Sequence, residues 1–131
     1  MNSYRVGSDG SNIILSIKVS TPGIAVTRAQ FINGAATDLP GCPCDAGGNI
    51  IDCVVGTNTK LKGKNLGIGT SVNLQPVDPA IWPTMYASLV ITYTLSGGTD
   101  GKTEFTYTDA EKSKDDTGQF IKVDKEIKLT A

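Results

Sequence analysis

Residues 84–108 read TMYASLVITYTLSGGTDGKTEFTYT, and in this stretch apolar and polar side chains alternate twice around a glycine-rich turn. Side chains at every second position of a strand point to the same face of the sheet. In the first half, one such face carries Met85, Ala87, Leu89, Ile91, Tyr93 and Leu95. In the second half it carries Thr103, Phe105 and Tyr107, and Gly97, Gly98 and Gly101 suit the reversal between the halves. The pattern predicts a long β-hairpin from Met85 to Thr108.

The same alternation recurs on both sides of this hairpin. It predicts a strand from Asn12 to Ser20 and another from Leu66 to Leu74, each with one apolar face. A last strand is predicted from Gln119 to Thr130, with Ile121, Val123, Ile127 and Leu129 pointing inward. Lys125 interrupts that inward row, so we expect it near the rim of a sheet.

Two further segments have a strand-like but less regular pattern. From Ile24 to Ile32, the apolar positions change from Ile24 and Val26 to Ala29 and Phe31, which indicates a bulge or an edge strand. From Ile50 to Val55, the pattern predicts a short strand with Ile51, Cys53 and Val55 on one side.

The remaining segments are predicted to connect strands. Residues 33–49 are rich in Gly, Pro, Asp and Asn and predict a long loop, and residues 57–65 predict a solvated edge or connection. Residues 76–83 contain three prolines, which cannot donate to a strand ladder, so this segment is predicted to cross between sheets. Residues 109–118 form a charged loop in which Asp109 could cap a single helical turn.

Many short strands separated by turn clusters are typical of a two-layer structure. We predict an all-β fold, a two-layer antiparallel β-sandwich of about 7–8 strands. Its wiring could be Ig-like or transthyretin-like, with a jelly roll as the alternative. A chain of 131 residues fits one domain, so residues 1–131 are predicted to form a single β-sandwich.

Composition argues against several functional classes. The net charge of −1 gives no electrostatic attraction to nucleic acid, so nucleic acid is not expected as a partner. No apolar run approaches the roughly 20 residues of a membrane span, so membrane insertion is not expected. As written, the chain lacks a signal peptide and is expected in the cytoplasm, unless it is a mature form that is secreted or surface-exposed. The chain has no histidine, and we therefore expect no enzymatic activity.

Cys42, Cys44 and Cys53 are the most concentrated reactive group. Structural zinc usually takes four Cys or His ligands, and a fourth is missing, so no metal and no cofactor is predicted. The preferred interpretation is free thiols, with Cys53 buried as a small hydrophobic residue. A disulfide from Cys53 to Cys42 or Cys44 is the alternative in an oxidising compartment.

Acidic loop tips at Asp9, Asp100 and residues 115–116 suggest Ca²⁺ as a further candidate ligand. Asp before Gly is also common in turns, and turn chemistry is the preferred interpretation.

The segments whose composition is not explained by strand formation are the best candidates for a binding surface. We predict a non-catalytic protein-interaction or structural module that acts through its sheet edges and through residues 33–49 and 76–83, with a protein partner or self-association. The predicted contact residues are Leu39, Pro40, Ile81, Trp82 and Tyr86, with Trp82 as the anchor or, alternatively, as an internal cap. The second hypothesis is a carbohydrate-binding module that uses Trp82 and Tyr86, and the third is a Ca²⁺- or Zn²⁺-stabilised domain.

Overall fold

The computed structural model of the chain describes residues 2–33, 35–38 and 42–131, with side chains for all of these except 33 and 35–38. Two sheets pack against each other, which confirms the predicted all-β sandwich. The described residues include ten strands, two or three more than predicted. They are β1 (Asn2–Arg5), β2 (Asn12–Ser20), β3 (Ile24–Asn33), β4 (Ala35–Asp38), β5 (Ile50–Thr57), β6 (Asn65–Asn73), β7 (Val90–Ser96), β8 (Thr103–Thr106), β9 (Lys112–Lys114) and β10 (Phe120–Thr130).

Strand order determines which strands form the edges. The six-stranded sheet has the order β1-β10-β6-β3-β4, and β9 also pairs with β10. The four-stranded sheet has the order β5-β2-β7-β8. β1 runs parallel to β10, whereas the other paired strands are antiparallel. The first strand of the chain therefore lies beside the last.

Alternating side chains build the core between the two sheets. β2 has the predicted bounds, and every second residue from Ile13 to Val19 is buried. The row from Leu66 to Leu74 on β6 is buried as predicted, as are Leu89, Ile91, Tyr93 and Leu95 around β7. Apolar burial of this extent is the main favourable contribution to folding.

The first half of the predicted hairpin is partly wrong. Residues Trp82–Ser88 form a helix, α2, and the strand begins only at Val90. Pro83 suits the first turn of a helix because its missing N–H would have no partner there. In addition, β7 pairs with β2, and Ser20 at the end of β2 lies opposite Val90. Residues before Leu89 therefore have no strand to pair with.

The two irregular strands also differ from the prediction. β3 pairs with β6 without a register change from Ile24 to Phe31, so it has no bulge there. On its other side β4 pairs with Gln30–Asn33 only, so the predicted edge position is wrong for that end of the strand. Its inward residues are the small Ala25, Thr27 and Ala29. On β5, Ile51 and Asp52 together oppose the single residue Ser16 of β2, and Asp52 has a φ of 48°. This bulge turns Ile51 outward, where it is 73% exposed, while Cys53 and Val55 are buried.

The connections contain more regular structure than expected. Residues 33–49 include β4, and residues 57–65 include a short helix, α1 (Asn58–Leu61), in which Asn58 and Leu61 are buried. Residues 76–83 do cross between the sheets, as predicted, through a 3₁₀ turn at Pro79–Ile81 that leads into α2. Within the described part of the chain, none of the helices has the length and apolar character that crossing a membrane requires.

Lys125 is the clearest departure from the predicted core. It is only 2% exposed and lies in the inward row of β10 between Val123 and Ile127, not at a rim. A buried charge is tolerated where it has hydrogen-bonding and ionic partners. Lys125 has such partners in the acidic and amide groups described below.

Candidate functional site

The predicted contact residues lie in two separate parts of the chain. Ile81, Trp82 and Tyr86 follow one another on the crossover between β6 and β7. Leu39 and Pro40 fall outside the described residues. The structure therefore brings together three of the five predicted residues, and of these Ile81 is the most exposed, at 43%.

Trp82 is attached to the sandwich by its own polar atom. The indole Nε1 donates hydrogen bonds to the carbonyl oxygens of Leu74 and Val77, both at 2.9 Å. The ring is half-buried and packs against the core. These contacts agree with the internal cap, which was the alternative to the anchor.

Tyr86 is covered by neighbouring lysines. The Lys112 Nζ lies 4.3 Å from the centre of its ring, and the Lys114 Nζ lies 4.9 Å from it. Lys112 also donates to the Tyr86 carbonyl oxygen at 3.0 Å, which ties α2 to β9. Cations over an aromatic ring occupy the face that a sugar would need for stacking. The geometry thus provides little support for the carbohydrate hypothesis.

The outer face of the six-stranded sheet carries exposed apolar side chains that were not among the predicted contact residues. Ile24 and Phe120 lie on the two strands that flank β6, opposite Asn73, and Val26 lies two residues along β3 from Ile24. The three side chains are 52%, 50% and 50% exposed. We call Ile24, Val26 and Phe120 the sheet-face patch.

The rest of this outer face is polar and lies around small residues. Gly67 and Gly69 of β6 separate the longer side chains of β3 and β10. A Cβ on Gly67 would lie 2.5 Å from the Ile32 Cδ1, so the neighbouring side chain fills the space above this glycine. The face carries both signs of charge, with Arg28 and Lys122 on one hand and Asp124 and Glu126 on the other.

A second candidate site is buried at the side of the sandwich where β1, β9 and β10 meet. The Lys125 Nζ contacts the Asn2 Oδ1 and donates to the Glu111 Oε1 at 3.1 Å. The side chains of Lys125 and Glu111 are 1% and 21% exposed. We call Asn2, Glu111 and Lys125 the lysine cluster.

The residue Thr108 fixes the position of Glu111. Residues Asp109–Glu111 form a 3₁₀ turn whose capping residue is Thr108, not the predicted Asp109. The Thr108 backbone N–H donates to the Glu111 Oε1 at 2.8 Å, and the Thr108 hydroxyl lies 3.2 Å from the same oxygen. This reciprocal cap holds the carboxylate against Lys125.

Charge and burial act on two acidic groups of this region. Burial raises the pKa of the Glu111 carboxyl, but the hydrogen bonds from Thr108 and Lys125 and the charge of Lys125 outweigh it and leave that pKa lowered. Burial, followed by the nearby charge of Glu111, raises the pKa of the Tyr93 hydroxyl. That hydroxyl is fully buried and has no hydrogen-bond partner among the described residues.

The cysteines differ from the preferred prediction of free thiols. Cys42 and Cys53 form a disulfide, with their Cα atoms 5.3 Å apart. The alternative prediction is therefore confirmed for this pair, and the free-thiol prediction is wrong for both residues. Cys44 is a half-buried free thiol whose sulfur accepts a hydrogen bond from the Thr27 N–H at 3.5 Å.

The carboxylates of the acidic loop tips accept hydrogen bonds from their own turns or from other segments of the chain. Asp9 accepts hydrogen bonds from Ser11 and Asn58, and Asp100 accepts them from Arg5. Asp115 accepts them from Thr117, Gly118 and Phe120. These hydrogen bonds lower the pKa of the Asp9 and Asp100 carboxyls. Across the described ranges, no group of three or more His, Cys, Asp or Glu side chains is placed to hold a metal ion.

Comparison with known proteins finds no relative, so the candidate sites are interpreted from their own chemistry. No protein-family model, no curated protein and no solved structure matches the chain.

Sequence reasoning missed both new sites for identifiable reasons. Ile24 and Val26 were predicted to share one face of an irregular strand, but that face was not identified as the outward one, and Phe120 was not considered. The interruption of an apolar row by Lys125 was the one available signal for the lysine cluster.

Proposed function

We propose that the protein is a non-catalytic structural or accessory module, a loosely Ig-like β-sandwich, that associates with a second copy of itself through the sheet-face patch. The observation that carries the proposal is the half-exposure of three apolar side chains on one regular sheet face, Ile24 and Val26 on β3 and Phe120 on β10, on the two sides of Asn73. Clustered exposed apolar residues mark interaction surfaces more often than isolated ones do. The absence of histidine from the sequence supports a non-catalytic role.

The charges around the patch support a second copy as the partner. The face carries Arg28 and Lys122 as well as Asp124 and Glu126, so a copy rotated by 180° can place opposite charges against each other. The net charge of −1 produces little repulsion between copies.

The contact surface proposed here includes part of the one expected from sequence. The crossover at residues 76–83 lies near the patch, because Ile24 and Phe120 are paired with Asn73 at the end of β6. Ile81 is exposed and can extend the contact, whereas Trp82 and Tyr86 are held by internal contacts. The sheet edges and residues 33–49 remain part of the proposal as secondary contacts.

The disulfide favours a different compartment from the one expected. Disulfides persist in oxidising environments and are rare in the cytosol. We therefore propose that the protein works outside the reducing cytosol, in agreement with the secreted or surface-exposed alternative.

Size-exclusion chromatography with light scattering tests the proposed association across a range of protein concentrations. We expect the wild type to form a concentration-dependent dimer, and Phe120→Ser to raise the dimer dissociation constant at least about tenfold, since apolar hot spots dominate binding energy. Val54→Ser is the matched control, because Val54 is also 50% exposed but lies on the other sheet. A wild type that stays monomeric at its highest soluble concentration, or equal effects of the two variants, would contradict the proposal.

A further inference from the structure

Lys125 combines a nucleophilic atom with near-complete burial. It lies in an inward row whose neighbours Val123 and Ile127 are fully buried and apolar. A structural need for a charge in this row is not evident, since the other inward residues of β10 pack without one. The Nζ contacts two side chains only, among those described: Asn2 and Glu111. One is an amide with an electrophilic carbon, and the other is a carboxylate that can carry protons.

The surrounding structure fixes the Asn2 amide beside this amine. β1 is parallel to β10, and Asn2 lies on the same inward face as the fully buried Tyr4. The Tyr4 hydroxyl donates to the Gly101 carbonyl oxygen at 2.7 Å, and the Arg5 N–H donates to Asp100 at 2.8 Å. These long-range hydrogen bonds hold β1 in register with β10. The Asn2 amide and the Lys125 amine are therefore kept in contact in the folded protein.

We propose that Lys125 and Asn2 form an intramolecular isopeptide bond, with Glu111 as the proton carrier and ammonia as the leaving group. The proposal is a self-modification that occurs once per molecule and does not depend on the proposed association.

The reaction is balanced without an oxidant or cofactor. The Glu111 carboxylate takes one proton from the Lys125 ammonium, and the Nζ lone pair attacks the Asn2 Cγ to form a new C–N bond. Glu111 passes that proton to the Asn2 Nδ2, and the bond between Cγ and Nδ2 breaks to release ammonia. The remaining extra proton on Nζ moves to Glu111 and leaves with the ammonia as ammonium. The product is a secondary amide beside an unchanged carboxylate.

Two features of the site favour this reaction. Held in contact, an amine and an amide react at effective concentrations far above those in solution, about 10⁵ M or more for well-oriented groups. The Tyr93 hydroxyl is the second feature, because it is buried near Glu111 and has no partner among the described residues. We expect this hydroxyl to turn toward the oxygen that becomes negative during attack and to donate to it. Loss of ammonia into solvent makes the bond irreversible.

The bond would join the two ends of the fold. Asn2 and Lys125 are separated by 123 positions, and β1 touches the six-stranded sheet only through β10 among the strand pairs described. Without the bond, β1 is an edge strand of four residues that can separate from the sheet. With it, the first strand stays attached after the hydrogen bonds open.

Intact-mass spectrometry of the full-length protein, denatured and reduced so that the disulfide does not contribute, tests the proposal. We expect a mass lower than that of the sequence by one ammonia, and a branched peptide after digestion that links residue 2 to residue 125. Glu111→Gln should fold but keep the full mass of its sequence, without loss of ammonia. The substitution preserves the shape of the side chain but removes the proton carrier. Asn2→Asp should lose one water instead of one ammonia when it reacts.

Controls separate this bond from other reactions of asparagine. Asparagine can also lose ammonia by cyclising onto its own backbone, which requires neither Lys125 nor Glu111. Loss of ammonia that persists in Lys125→Met would therefore overturn the proposal, as would an unmodified mass in folded wild type after prolonged incubation. Lys128→Ala, which alters an exposed lysine of the same strand, should leave the modification complete. If Lys125→Met does not fold, the branched peptide in the wild type and its absence in Glu111→Gln decide the question.

Discussion

The two open sides of the sandwich are joined by different chemistry. On the side where β4 is followed by β5, the disulfide Cys42–Cys53 attaches the connecting segment to the four-stranded sheet, and Cys44 bonds the same segment to β3. On the opposite side, where β8 is followed by β9, the contacts of Lys125 with Asn2 and Glu111 hold the edge of the six-stranded sheet. On both sides, therefore, side chains attach a connecting segment or an edge strand to the sandwich.

The two sides differ in the sequence separation between the residues that contact each other. The two disulfide cysteines are 11 positions apart, so the bond closes a short loop. Lys125 is 14 positions from Glu111 and 123 from Asn2, so the lysine cluster forms only once the first and last strands are paired. During folding, the Cys42–Cys53 contact can therefore form early, whereas the lysine cluster forms only in the completed fold.

Removing the Lys125 side chain should lower the free energy of unfolding more than any other substitution considered below. Lys125→Ala leaves Glu111 without its cationic partner and opens a cavity, and we expect unfolding to require about 3–5 kcal/mol less than in the wild type. Lys122→Ala on the outer face of the same strand is the control, with an expected change within about 0.5 kcal/mol. Chemical denaturation measures both. A loss below about 1 kcal/mol for Lys125→Ala would mean that this side of the sandwich contributes no more than an exposed ion pair.

A substitution in the centre of the core gives a reference value for the stability effects expected on the two sides. Ile91 lies on β7 and is 1% exposed, so Ile91→Ala should lower the free energy of unfolding by about 2–5 kcal/mol. Thr92→Ala on the outward face should be mild. If the two variants were equally stable in urea, the inward face of β7 would be misassigned.

The disulfide should contribute somewhat less. For a closed loop of this size, loss of the bond lowers stability by about 2–3 kcal/mol, chiefly because the unfolded chain gains freedom. The double variant Cys42→Ala/Cys53→Ala tests this, and Cys44→Ala is the control because Cys44 forms no disulfide. Reductant should lower the melting midpoint of the wild type and of Cys44→Ala but not of the double variant. Equal sensitivity of all three to reductant would contradict the assignment of the bond.

The two sides also differ in what the sequence could predict. Regular alternation fixed β2 to the residue, because an inward apolar row has one stable orientation. The same alternation over Met85–Ser88 was misleading, since the partner strand β2 ends at Ser20 and leaves those residues without a neighbour. A disulfide of Cys53 with Cys42 or Cys44 could be named as an alternative, since only three cysteines lie in the sequence. The partners of Lys125 could not be assigned, because no local pattern relates Asn2 to a residue 123 positions away.

Acidification should test how β1 is held to the rest of the fold. We expect its effect on stability to be smaller than those of the three sets of substitutions above. Hydrogen bonds from the Arg5 N–H and Nε, together with the Arg5 charge, lower the pKa of the Asp100 carboxyl in the folded protein. The contribution of Asp100 is therefore complete above its unfolded value of about 3.9 and is lost as the pH falls through the lower folded value. The difference in melting midpoint between wild type and Asp100→Asn should be present at pH 6 and should disappear on acidification. A difference that does not change with pH would show that the Arg5–Asp100 pair does not hold β1.

The same acidification distinguishes a hydrogen-bonded lysine cluster from a covalent one. In Asn2→Ala the side chain that meets Lys125 is gone, so β1 depends on its backbone ladder and on the Arg5–Asp100 pair, and its amides should exchange with solvent deuterium rapidly once Asp100 is protonated. In a wild type with the isopeptide bond, β1 cannot leave β10 even when that pair is broken. The amide of Val6, directly after β1, donates to the Thr130 carbonyl oxygen at 2.7 Å and should keep its protection at the same pH. Equal loss of protection in the two proteins would mean that the side of the sandwich opposite the disulfide is held by reversible contacts alone.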